Sequence, residues 1–253
     1  MTVLVSRRRT LSLLLASTIA GPALFGLAGA GPAQAEAPPA APADPQAPAA
    51  APAAPSAATL LFETPQLDAA AVGRTLTYRY SRKVSDPELG PSFDDTLTLE
   101  VEPPSPGAPA GARTVKVNFF SAERHRAAGP FEDVTGNPAL ILFLENHLSD
   151  LSAKLLGNPR YFKSAIRAAL RDRAEVTPAH FMIAGRTYKG WRIKVTPFAG
   201  DANAKRMRGL DTLTYGFEVA PELPGAIVRM TITADVKDGR LWEESLTYDP
   251  QGT

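Results

Sequence analysis

Cysteine is missing from all 253 residues. That absence excludes disulfides, thiolate zinc sites and a lipid anchor on an N-terminal cysteine. The folded part of the chain must be held by its core alone. Histidine is scarce too, since His125, His147 and His180 are the only three. None stands in a metal spacing such as H-E-x-x-H. His147 and Asp150 sit i, i+3 on one predicted helix, an arrangement that suits a surface hydrogen bond better than a catalytic dyad. There is no G-x-S-x-G elbow and no phosphate loop, so no cofactor is expected. The adjacent acids Asp94-Asp95 and Glu243-Glu244 alternate faces if they lie in strands, and cannot converge on one glycosidic bond. Carboxylates distant in sequence could still meet, but no catalytic motif is present and the expectation is a protein that is not an enzyme.

Excess charge of either sign is also lacking. The chain carries 27 basic and 26 acidic residues. Subtracting Arg7, Arg8 and Arg9 from the 27 basic residues leaves 24 against 26 acidic ones, a formal −2 for the chain after its leader. Nothing in that balance supports nucleic-acid binding.

What is present at the start is an address. "SRRRTLSLLLAS" runs three arginines into an apolar stretch from Leu11 to about Ala30, followed by Ala33-Gln34-Ala35. A positive region, an apolar region and a small-residue cleavage site make residues 1–35 an export signal. Ser6-Arg7-Arg8 with Leu11 resembles the twin-arginine signal of bacterial export. Thr10 and Ser12 depart from that pattern, so the general route stays open. An uncleaved anchor is the alternative, weakened by Gly21, Pro22, Gly26 and Gly29 within the apolar stretch. The expected location is the periplasm or outside the cell.

Residues 36–58 contain only Ala, Pro, Glu, Asp, Gln and Ser. No large apolar group is there to offset ordering entropy, so the stretch reads as a disordered Pro/Ala-rich spacer. Residues 59–253 then form a single domain, long enough for one core.

Period-two alternation marks its strands. Leu76, Tyr78 and Tyr80 share one face, as do Leu97, Leu99 and Val101, and then Val115, Val117 and Phe119. "PPSPGAPAGA" is a loop by composition. After two helices come short strands on either side of 185–190, then "DTLTYGFEVA", "GAIVRMTITADV" and "RLWEESLTYD", with Asp238-Gly239 as a hairpin signal between the last two. The fold class is α+β: a mainly antiparallel, strongly curved sheet or unclosed barrel of about seven or eight strands, with two consecutive helices inserted mid-chain. "TLTYRY" followed by "PELG" and "TLTYGF" followed by "PELPG" repeat a sheet-building layout and carry no chemistry.

"GNP" occurs at 136–138 and again at 157–159. Asn137 and Asn158 suit N-caps, Pro138 and Pro159 suit first helical positions, and Gly157 can close the first helix in the left-handed region. On the first helix Leu140, Leu144, Leu148, Leu151 and Leu155 form one docking stripe. Leu142 and Phe143 fall outside it. Leaving both in water would forfeit several kcal/mol, at about 1.5–3 kcal/mol for each large apolar side chain. They therefore need a covering loop such as "AAGPFEDV", a ligand groove, a membrane surface or another protein. The second helix buries Phe162, Ala165, Ile166, Ala169 and Leu170, and sets Arg160, Lys163, Arg167 and Arg171 along the opposite side. That basic stripe is a solvated face or a contact for an anionic surface. Trp191, Trp242, Tyr188, Phe181 and Phe198 are spaced as strand residues, for packing first and ligand lining second.

A signal peptide, antiparallel strands, mid-chain helices and a final hairpin resemble the periplasmic lipoprotein carriers (LolA/LolB-like) and the wider group sharing their unclosed barrel. The resemblance lies in element order across roughly residues 70–250. It implies an apolar concave surface under the helices that holds acyl chains, and no functional residue carries over from it. The Pro/Ala spacer stands where that group has a helix. The leading expectation is a noncatalytic exported protein binding an apolar or lipidic ligand between sheet and helices, with Leu142, Phe143, Phe162 and Trp191 as candidate lining. The alternative is an envelope interaction or assembly protein using the same helix end on a protein partner.

Overall fold

The computed structural model describes residues 54–252. The expected export signal and all but the last five residues of the expected spacer lie outside them. Of the five, Ala57 is buried in the core. A π-helical turn at Thr59–Glu63 follows, closed by the Thr64 N–H donating to the Thr59 carbonyl at 2.9 Å.

Nine strands build one antiparallel sheet: β1 Thr75–Val84, β2 Phe93–Glu102, β3 Arg113–Phe119, β4 Arg126–Val134, β5 Glu175–Ile183, β6 Arg186–Val195, β7 Thr214–Val219, β8 Ile227–Val236 and β9 Gly239–Asp249. Their order is β4-β3-β2-β1-β9-β8-β7-β6-β5. Two meanders, β1–β4 and β5–β9, are thus zipped together along β1 and β9, with Tyr78 opposite Tyr248. No pairing joins β4 to β5 among the described residues, so the sheet is open. The alternating faces of β1, β2 and β3 read from the sequence are the buried ones. "PELG" forms the short turn after β1, and "PELPG" the turn between β7 and β8.

The strand count exceeds the expected seven or eight because "RAAGPFEDV" is a strand, not a covering loop. Its small residues and Pro130 erase the period-two signal. It survives as an edge, paired with β3 through two register shifts.

Two helices, α1 Pro138–Leu155 and α2 Pro159–Asp172, carry the chain from the β4 edge to the β5 edge. The Asn137 and Asn158 side chains accept from the Ala139 and Arg160 N–H groups, with proline at the first helical position of each. Asn137 does more than cap. Its Nδ2 donates to the Tyr78 hydroxyl and the Gly225 carbonyl, both at 2.8 Å, and its own N–H donates to Gln66 Oε1 at 2.8 Å. The helix start is bolted to the sheet and to the N-terminal segment.

The end of α1 departs from expectation. Leu156, at φ 49°, takes the left-handed position, and Gly157 follows it. Gly157 is needed for space: a Cβ there would lie 2.6 Å from Cε2 of Phe162.

The buried face of α1 keeps Leu140, Leu144, Leu148 and Leu151 of the leucine stripe and is shifted past it to one side. Phe143 and His147 are fully buried, whereas Ile141 is 49% exposed. Phe143 is therefore a core residue, with its ring 6.3 Å from that of Tyr80. The shift has a polar cause that an apolar wheel omits, because Glu244 of β9 holds His147.

Candidate functional site

Beneath α1 lies a polar cluster in an apolar setting. Glu244 is 0% and His147 1% exposed, and Oε2 of the acid is 2.8 Å from Nδ1 of the ring. Oε1 of Glu244 accepts from the Tyr80 hydroxyl at 2.8 Å. Burial pushes the Glu244 carboxyl up, but the His147 bond and charge, the Tyr80 bond and the Arg82 charge outweigh it, and the net shift is downward. An ionised Glu244 can only accept, so Nδ1 of His147 carries the proton. Burial and then the Glu244 charge raise the Tyr80 hydroxyl far above its ordinary value. Arg82 donates to Asp150 at 2.7 Å and to the Leu89 carbonyl at 2.9 Å, with its guanidinium 4.2 Å from the Trp242 ring centroid. His147 and Asp150 thus take separate partners and do not form the surface pair read from their spacing. The His147 ring packs edge-on against Tyr215 and Trp242. This cluster fastens α1 to the sheet.

The space between sheet and helices is filled by Phe143, Leu140, Leu148, Phe162 and Ile166 packed with the strand side chains in one core. Among the described residues, the side chains expected to line a ligand space there are packed as core. A groove of about 360 Å³ opens instead between the two helices and the N-terminal turn. One ridge of α1 (Ile141, Leu144, Leu148) and one of α2 (Ile166, Leu170) make its apolar floor, with Phe62 and Ala58 at the turn. Both ridges follow i, i+3, i+4 spacing, which places such residues on one helix face.

Lys163, Arg167 and Arg171 stand along the rim. Lys163 is ion-paired with Glu145 across the helices, and Arg171 with Asp172 at 2.8 Å. Arg167 has no acidic partner among the described residues. A second depression of about 440 Å³, bordered by Phe131, Gln66, Leu140 and Leu142, lies on the other side of Phe62 and Ile141.

The candidate residues from the sequence are dispersed. Leu142 is half-buried and borders the second depression. Phe143 and Phe162 are core, the latter edge-on to Phe198. Trp191 lines a separate hollow with Pro178, His180 and Pro221. Of the basic stripe, Lys163, Arg167 and Arg171 meet at the groove and Arg160 lies beyond it. Sequence reading missed Phe62 and Ile141, both about half exposed at 47% and 49%. Ile141 lies outside the leucine stripe, on the side of α1 that lines the groove. Among the described residues no group of His, Asp and Glu is arranged to hold a metal, and no helix is long and apolar enough to cross a membrane.

No protein-family model matches the chain, and no curated protein matches it. Among solved structures it is similar to LprF from Mycobacterium bovis. The TM-score is 0.30 and the identity 11%, over 77% of this chain and 91% of that one. Nothing is transferred at that level. The architecture itself is an unclosed antiparallel sheet with two helices inserted mid-chain.

Proposed function

We propose that this chain is a noncatalytic, exported binder of a single-chain anionic amphiphile such as a fatty acid or lysolipid. The observation that carries the reading is the α1–α2 groove, apolar along its floor and basic along its rim. Its volume of about 360 Å³ falls in the range of small-molecule sites. The acyl chain lies along Ile141, Leu144, Leu148, Ile166 and Leu170, and the headgroup is held by Arg167. Export follows from the leader read in residues 1–35. A protein partner seated on Phe62 and Ile141 is the second reading, favoured by the exposure of those two side chains.

Titrating the full-length chain with a fluorescent fatty acid tests the proposal, with native mass spectrometry to count equivalents. One equivalent is expected. Ile141→Asp, at a half-exposed position, should weaken binding about tenfold or more, the worth of one well-buried apolar side chain. Arg167→Glu should weaken a fatty acid more than its neutral methyl ester. Absence of uptake by the wild-type chain, or uptake indifferent to Ile141→Asp, sinks the amphiphile reading and leaves the partner reading.

A further inference from the structure

Two residues at the turn between α1 and α2 are placed against their own local stability. Leu156 ends α1 in the left-handed region at φ 49° and is 94% exposed. A branched side chain is disfavoured in that conformation, and glycine or asparagine is the stable choice at such a position. Burial returns nothing to Leu156 in this fold. Arg160 sits in the first turn of α2, which contains no acidic residue. A cation at a helix N-terminus opposes the helix dipole. Positions that break local rules with no compensating contact mark function more often than accident.

The two are exposed and stand four positions apart, across the turn between the helices. Arg160, Lys163, Arg167 and Arg171 recur every three or four residues along α2, with Arg160, Arg167 and Arg171 exposed. The Arg160 and Arg167 side chains have no acidic partner among the described residues. The turn before this row holds Leu156, and the groove that the row borders holds the half-exposed Phe62 and Ile141. A line of cations accompanied by bare apolar side chains is the pattern that seats a protein on an anionic bilayer. There the cations meet phosphate groups and the apolar side chains enter the headgroup layer.

We propose that the α2 basic row with Leu156 is a docking face for an anionic lipid surface. It goes beyond binding of a soluble amphiphile and stands whether or not the groove holds one. Docking there brings the mouth of the groove to the lipid. The match is of charge and exposure: an acidic protein would answer the cations but would leave Leu156 without a counterpart.

The test is co-sedimentation of the full-length chain with phosphatidylcholine vesicles, with and without about a third phosphatidylglycerol. Binding is expected on the anionic vesicles, weakening as salt is raised. Leu156→Gly relieves the left-handed strain, and Arg160→Glu complements the helix dipole, so each should keep or raise the melting temperature. Each should nevertheless weaken anionic-vesicle binding, by about fivefold for Arg160→Glu and more when Arg167→Glu is added. A rise in stability joined to a loss of binding is a pair of signs that a purely structural role does not produce. Equal binding to both vesicle types, no binding to either, or variants that sediment like the wild type would overturn the proposal. Absence of vesicle binding with fatty-acid uptake intact would overturn docking and leave the groove reading standing.

Discussion

Glu244 shows at one residue how the sequence hides its most consequential contact. Written beside Glu243, it looks like half of a surface pair, and alternation along β9 correctly puts the two on opposite faces. Nothing local says that the inward one meets His147, 97 positions away in the chain. Its carboxyl is held below the ordinary value of 4.5 despite burial. A group whose folded value is depressed contributes stability above its unfolded value, and that stability drains as pH falls through the folded one. Thermal melts from neutral pH down to about pH 3 should therefore lose ground in the wild type below about pH 4.5. Glu244→Gln starts lower at neutral pH, by about 1.5–3 kcal/mol, because the buried bonds from His147 and Tyr80 lose a charged acceptor. Its curve is flatter across the acid range. Parallel curves would mean that Glu244 is not the charged centre of the cluster, with Tyr80, Arg82, Asp150 and Tyr215 around it.

The helices show what is legible in an element. Their starts were, because Asn-Pro caps act through side chains one or two positions away. The ends and the full buried face were not. Leu156 and Gly157 exchange their expected parts because the ring of Phe162 needs the space beside Gly157. Gly157→Ala should lower stability by roughly 1–3 kcal/mol through overpacking, read from urea melts. Adding Phe162→Leu should recover part of the loss, since neighbouring substitutions are coupled. If Gly157→Ala is neutral, the contact with Phe162 is not what the glycine serves. The leucine stripe of α1 is buried as read, but the buried face extends past it to Phe143 and His147, because a histidine expected at the surface is drawn in by a buried acid.

At the scale of the molecule, the α+β class and most strands were readable because each rests on short-range alternation. The groove was not. Its walls come from residues 58–62, 141–148 and 163–171, and only the tertiary fold brings them together. The sheet predicts its own profile of hydrogen exchange. β9, flanked by β1 and β8, lies deepest inside the order, farthest from either edge, and should exchange slowest, while β4 and β5 each have a free edge and should exchange first. Slowest exchange in β4 or β5 would contradict the open order. The central seam has another consequence. β9 comes last in sequence of the nine strands described, yet it is the piece on which both meanders close. Until it arrives, β1 and β8 each offer a bare hydrogen-bonding edge. A chain that has formed everything but β9 is two sticky halves awaiting a keystone.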